Sequence, residues 1–379
     1  MSQTPDVLVS TSGACTTFTL SRPKALNALT LPMVRSLTEG YTKAAADPAV
    51  RCLLVEGEGG KAFCAGGDVR AVWEAGRVGG GGTASDGEVI TDAFFREEYA
   101  LNAAIAGSPK PQVSVWDGIV MGGGVGVSVH GAFRVATEKA MFAMPETNIG
   151  LFPDVGGSHF LSLLPGELGT YIGLTGQRLS AADLIYCGLA THHVPSQAMP
   201  ELGPTLASCA SADDVEAALA RLGRDAELQP GESHLARARA EIDAAFAYDT
   251  MEEVVAHLQR IGEREPEGFG AKTLATLLKL SPTSLKITLR LLREARAGKD
   301  GPAPLTACLV REFRVVQRCV TPPSDFFEGI RAALVDKDRN PQWSPSSLEQ
   351  VSAQDVDAYF APLGAQELTI GQLPGFSVP

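Results

Sequence analysis

Met121-Gly122-Gly123-Gly124-Val125-Gly126 sets three consecutive glycines behind a strand pattern, Gln112–Trp116, and ahead of an apolar run that reads as a helix. A second segment, Ala62-Phe63-Cys64-Ala65-Gly66-Gly67-Asp68, follows a buried-strand pattern over 50–56 in the same manner. Each leaves backbone N–H groups at a strand end, where a ligand can approach without meeting a Cβ. Taken singly, each reads more simply as a tight turn. Converging on one point, two such donors would form an oxyanion hole.

A third segment runs from Phe142 to Gly157 and holds Glu146 and Asp154, eight positions apart with Gly150 and Pro153 between them. Fully extended, that span could separate the carboxylates by about 26 Å. A loop turned back at the glycine and proline could instead bring both to one pocket. The neighbours Phe142, Met144, Ile149, Leu151 and Phe152 are apolar, and desolvation there would raise a carboxyl pKa, as a general acid or base requires.

Other motifs fail. Gly60-Lys61-Ala62 lacks the hydroxyl of a P-loop. Residues 122–127 break the dinucleotide-binding pattern at Val127, and 126–130 miss the nucleophile elbow at His130. His192 and His193 are adjacent, so on a strand they face opposite sides and chelate one metal poorly. Cys64 has no histidine beside it in sequence and reads as a small buried residue, and His130, His159 and His234 read as ordinary core or surface residues.

The chain has 379 residues, 45% hydrophobic and 20% charged, which excludes wholesale disorder. Its net charge of −12 argues against nucleic acid as a partner but not against an anionic ligand at a local basic patch. Seven scattered cysteines without a C-x-x-C pair fit reduced thiols in a cytoplasm better than a disulfide framework or a zinc site. No secretory leader and no membrane span are expected.

Along the chain, strands are expected at 7–10 and 16–20, then a helix capped by Thr30 with Leu31, Val34, Leu37 and Tyr41 on one face. Another helix is expected over 91–106. The Gly-rich stretch 76–87 reads as a mobile loop, and the last fifteen residues as poorly ordered. From about 203 the texture becomes helical, with patterns at 213–222, 232–247, 251–261, 272–279, 284–296, 307–318 and 326–335. The expected division is an α/β core over 1–205 and a mainly helical region over 206–379 that packs on it.

The three segments, in this order, resemble the crotonase superfamily, the enoyl-CoA hydratase/isomerase family. Leu20-Ser21-Arg22-Pro23 with Leu26-Asn27-Ala28-Leu29 resembles its N-terminal signature. The branch most similar is the 3-hydroxyisobutyryl-CoA hydrolases, on Phe94 to Tyr99, Met121 to Ser128, Arg134 to Lys139 and Met144 to Gly157. Ser281 to Thr288, Asp336-Lys337-Asp338 and Pro341-Gln342-Trp343 extend the likeness into the helical half, so that it takes in about residues 8–360.

The resemblance implies a spiral of ββα turns with a helical C-terminal region. It implies an oxyanion hole from the N–H groups of Gly67 and Gly123, with Asp68 beside the substrate. Hydratases of the family carry a first glutamate two positions beyond the triple glycine, and here that position is Gly126. The second aligns with Glu146. The hydrolase pattern of Glu98, Glu146 and Asp154 is complete. From the residues alone, Arg96-Glu97-Glu98 reads as a solvated helix face. The implied activity is hydrolysis of a short branched hydroxyacyl-CoA thioester, as in valine breakdown. Catalysis is expected from Glu146 and Asp154, and substrate binding from Glu98, Gly67, Asp68 and Gly123. An enoyl-CoA hydratase or isomerase, or a non-catalytic acyl-CoA-binding scaffold, are the alternatives. No metal or redox cofactor is implied, CoA being part of the substrate. The partner is a small-molecule acyl-CoA, with no nucleic acid or membrane, and homo-oligomerisation is left open.

Overall fold

A computed structural model describes residues 5–77, 89–224, 232–297, 301–371 and 376. Most of the Gly-rich stretch expected as a loop, and residues 372–375 and 377–379 of the C-terminal tail, lie outside these residues; Gly76 and Arg77 close a helix instead.

The chain opens with a hairpin, β1 (Val7–Ser12) and β2 (Cys15–Leu20), turned at Gly13, whose φ of +54° suits a residue without a Cβ. Helix α1 (Leu31–Ala46) begins where the sequence predicts: the Thr30 hydroxyl accepts a hydrogen bond from Met33 N, and Pro32 occupies the first turn. Its inward face carries Met33, Val34, Leu37 and Tyr41.

A repeating unit follows. Strands β3 (Cys52–Gly57), β5 (Gln112–Trp116) and β7 (Phe133–Ala136) join a six-stranded sheet of order β1-β2-β3-β5-β7-β9, where β9 is His192–His193. After each of the three the chain turns into a second sheet, giving β4 (Ala62–Cys64), β6 (Ile119–Met121) and β8 (Met141–Ala143) side by side. All pairings between these strands after the hairpin are parallel. Helices α2 (Val69–Arg77) and α3 (Ile90–Ala106) follow β4, and α4 (Gly123–Val129) follows β6. After β8 come a 3₁₀ turn, Glu146–Ile149, and α5 (Gly157–Ser162). This is the expected α/β spiral of ββα turns.

The remainder is helical: α6 (Leu168–Thr175), α7 (Ala181–Cys187), α8 (Met199–Leu206), α9 (Ala212–Leu222), α10 (His234–Ala245) and α11 (Met251–Arg264). Then come α12 (Phe269–Leu277), α13 (Pro282–Arg296), α14 (Leu305–Cys319), α15 (Asp325–Ile330) and α16 (Ala353–Phe360). The helix expected over 326–335 changes to a π-helical turn at Arg331–Val335. One apolar cluster joins this half to the spiral, with Tyr99 of α3 edge-on to Phe313 of α14.

Helix α15 packs directly on the Glu146–Ile149 turn. Two glycines allow it. A Cβ on Gly329 would overlap the backbone of Ile149, and one on Gly150, at φ +70°, would overlap Asp325. Asp325 is itself held, accepting from Ser281 Oγ (2.6 Å) and Ser344 N (2.9 Å). Gly150→Ala should therefore lower stability by at least ~2 kcal/mol, through the left-handed backbone and the displaced helix. Urea denaturation at pH 7 measures it, and an unchanged midpoint would contradict this packing.

Candidate active site

Strands β4, β6 and β8 are parallel neighbours, so their C-terminal ends lie along one edge of the small sheet. Neighbouring strands are ~4.8 Å apart. The three segments singled out in the sequence leave from that edge: Gly66-Gly67 after Cys64, Gly122-Gly123 after Met121, and Glu146 after Ala143.

At the first end, Leu29 N–H donates to Gly66 O (2.8 Å) and Asp68 N–H to Leu29 O (2.7 Å). This bridge leaves the Gly67 N–H out of the ladder. At the second, Gly123 is the first residue of α4, so its N–H has no acceptor within the helix. A Cβ on Gly123 would lie 3.2 Å from Gly67 N, so the two glycines face each other closely. It would also strike Glu98 Oε1, while a Cβ on Gly122 would lie 3.0 Å from Glu146 Oε1. The Gly67 and Gly122–Gly123 backbones and two carboxyls thus lie together where a side chain at 122 or 123 would collide.

The third segment does turn back. The Glu146–Ile149 turn ends at Gly150, and Leu151 N–H donates to Glu146 O (3.0 Å). A second tight turn, closed by Gly157 N–H to Asp154 O (2.7 Å), follows Pro153. Glu98, Glu146 and Asp154 then line one cavity of about 170 Å³ with Gly67, Gly123 and apolar side chains including Phe94, Ile149 and Leu151.

All three carboxyls are at least 95% buried, and among the described residues no lysine or arginine lines the cavity. Burial therefore dominates their ionisation. It pushes Glu98 and Glu146 well above the usual carboxylate range, with the charge of Asp154 a second cause in each case. Asp154 is pushed by burial to about 6, partly opposed by the Tyr99 hydroxyl, which donates to its Oδ2 (2.8 Å). Asp154 thus ionises most readily of the three. Glu98 Oε1 and Glu146 Oε2 have no hydrogen-bond partner among the described residues.

Arg96-Glu97-Glu98 does not behave as one solvated face. Arg96 pairs with Asp92 and Glu97 with Arg35, whereas Glu98 turns inward. The signal was helical spacing: Phe94, Glu98, Leu101, Asn102 and Ile105 fall on the buried face. Asp68 stands outside the cavity lining. Its carboxylate pairs with Arg22 (3.3 Å), because the turn into α2 carries its side chain away from Gly67. Cys64 is core: burial raises its thiol to about 12, and Sγ donates to Gly66 O. His130, His159 and His234 do not line the cavity.

Three residues near the site escaped the sequence reading. Tyr99 holds Asp154. Asn102, one turn beyond Glu98, is fully buried with both amide atoms unpartnered among the described residues. A Cβ on Gly126 would lie 3.0 Å from Asn102 Nδ2 and 2.6 Å from Val155 Cβ, so a glutamate cannot stand at 126 without displacing Val155. Glu312 of α14 reaches the loop behind Asp154.

The family model for enoyl-CoA hydratase/isomerase matches residues 15–360, and the chain belongs to that family. Within it, the chain is 42% identical to the mitochondrial 3-hydroxyisobutyryl-CoA hydrolase of Rattus norvegicus, over 97% of this chain and 91% of that protein. The enzyme of the same name from Xenopus laevis is 44% identical over 96% and 90%. A crystal structure described as a carnitinyl-CoA dehydratase from Mycobacterium thermoresistibile superposes with a TM-score of 0.85 at 39% identity, covering 97% of this chain and 99% of that one.

The raised acids have a stability consequence. Asp154 goes from 3.8 in an exposed setting to about 6 in the fold. Between these values the folded protein binds the extra proton, so stability falls as pH rises through the window. At ~1.4 kcal/mol per tenfold change in proton affinity, this site contributes about 3 kcal/mol to the fall. Asp154→Asn keeps an acceptor for Tyr99 and carries no charge. Its unfolding free energy, from urea titrations at pH 4 to 7, should decline less steeply than wild type. Parallel profiles would show that Asp154 titrates normally.

Proposed function

We propose that this protein hydrolyses a short branched hydroxyacyl-CoA thioester, with 3-hydroxyisobutyryl-CoA as the substrate. The observation that carries the reading is the pairing of two facing glycines with three buried carboxyls, at a site where Gly126 replaces the first hydratase glutamate. The names of the similar curated proteins support it.

In this reading the thioester oxygen accepts from the Gly67 and Gly123 N–H groups. Attack at the carbonyl carbon gathers negative charge on that oxygen. Donors already in place stabilise it by a few kcal/mol each, because nothing need reorganise. Glu146, beside Gly122, activates the attacking oxygen, as a base toward water or as the nucleophile itself. Asp154, oriented by Tyr99, takes up negative charge and moves a proton near the thioester. Collapse breaks the C–S bond. One water is consumed, its oxygen joins the acyl carbon, and the thiolate leaves with a proton as free CoA.

Glu98 is assigned the substrate's 3-hydroxyl. Burial pushes its carboxyl well above the usual carboxylate range, and a carboxyl oxygen there accepts the hydrogen bond of that hydroxyl. An analogue without the hydroxyl would leave this group unpaired in an apolar cavity, a stronger penalty than lost apolar contact alone.

Free-thiol release over a set of acyl-CoAs tests the reading. Wild type should cleave 3-hydroxyisobutyryl-CoA at least ~10²-fold faster in kcat/KM than isobutyryl-CoA. Glu98→Ala should narrow that ratio, and Glu146→Gln should lower kcat by at least ~10²-fold on both. Loss of enoyl absorbance without thiol release would make the protein a hydratase, and equal cleavage of the two substrates would remove Glu98 from specificity.

A further inference from the structure

Asp154 is followed by an unusual backbone. Val155 has φ +51° and Gly156 φ +84°. For a β-branched residue the left-handed region is a real outlier, costing on the order of 1–3 kcal/mol, and it persists only where the surroundings impose it. The surroundings can be named. From one side His130 Nε2 meets Val155 O at 2.8 Å. From the other, Glu312 of α14 accepts three hydrogen bonds on its two carboxylate oxygens: Gly156 N–H to Oε2 (2.7 Å), and Ser158 N–H (2.9 Å) and Ser158 Oγ–H (2.5 Å) to Oε1. Glu312 is fully buried, and no ion pair is formed by it among the described residues.

Burial of an unpaired carboxyl is costly. An apolar side chain would fill the same place between α14 and α5 without that cost. What the carboxyl adds is direction: two oxygens spaced to accept from the amides on either side of Gly157, hydrogen bonds that partly oppose the burial raising the group to about 8. The gripped residues begin two positions after Asp154, whose own carbonyl accepts from Gly157 N–H.

We infer that Glu312 is a positioning residue for the reaction: from the helical half of the chain it clamps the Val155–Ser158 turn and so fixes where Asp154 meets the cavity. It touches no substrate atom and acts through Asp154. The inference builds on the thioesterase reading above, and it makes the helical half part of the catalytic arrangement as well as its cover.

Glu312→Gln preserves shape but leaves one oxygen to accept where two did, and turns an N–H₂ toward the donors. Because a displacement of ~1 Å near the reacting atoms can cost 10²-fold, kcat for 3-hydroxyisobutyryl-CoA should fall at least about tenfold, with KM changed less than about threefold. Hydrogen–deuterium exchange should rise over residues 154–160. Ser158→Ala, a milder cut, should show the same two changes at lower amplitude. Asp183→Asn is the control: that buried carboxylate likewise grips backbone and hydroxyl donors, at Ser180, Ser233 and Leu235, on α7 far from the cavity lining. It should lose melting temperature while keeping kcat and the 154–160 exchange pattern. If Glu312→Gln and Ser158→Ala fold and keep wild-type kcat and exchange, or if Asp183→Asn loses kcat in proportion to stability, the inference is overturned. Should Glu312→Gln not fold, Ser158→Ala alone decides between these outcomes. A wild type that releases no thiol would sink the thioesterase reading, while the exchange data would still support or overturn the clamp.

Discussion

The parallel register of three short strands is the constraint on which everything else depends. Ala62, Ile119 and Met141 lie side by side, as do Cys64, Val120 and Phe142. Each strand then ends within a residue or two of its neighbours, and three loops distant in sequence must leave from one edge. That is why Gly67, Gly123 and Glu146 meet although nearly eighty residues separate the outer two. A slip of one residue would turn the alternate side chains over and carry Glu146 away from the glycines.

Once the loops converge, burial does the chemical work. Among the described residues, the cavity lining holds three carboxyls and no lysine or arginine. Such a cluster cannot be fully ionised, and the fold divides the roles unequally. Asp154 has the Tyr99 hydroxyl, which opposes the effect of burial; Glu98, with no partner for Oε1 among the described residues, is pushed well above the usual carboxylate range. The same desolvation that costs stability as pH rises makes these groups useful as acids and bases near neutrality. The left-handed Val155 backbone directly follows Asp154, so strain and unsatisfied carboxyls lie side by side here.

Much of this was legible in the sequence, and what was not has physical reasons. Thr30, Pro32 and the helical spacing that follows announce α1 because a cap and an apolar face are local signals. The glycine segments announce strand ends for the same reason. The likeness to the enoyl-CoA hydratase/isomerase family, rather than spacing, singled out Glu98, since a carboxylate within a charge run looks solvated until the buried face of its helix is known. Asp68 shows another limit: the resemblance puts it beside the substrate, while its pairing with Arg22 is a contact across 46 positions that no local pattern reveals. Glu312 could not be found locally at all. It lies more than 150 positions from the turn it holds, on an amphipathic helix where a glutamate is unremarkable, and only tertiary packing reveals that it faces inward.

In the proposed reaction, water is spent on the thioester carbonyl and not on a carbon–carbon double bond. The direct measurement is mass spectrometry of the products formed from 3-hydroxyisobutyryl-CoA over many turnovers in ¹⁸O-labelled water. Thioester hydrolysis yields free CoA together with 3-hydroxyisobutyrate carrying ¹⁸O in its carboxylate and none in its 3-hydroxyl. Intact thioester product, or label that enters only the 3-hydroxyl, would contradict it.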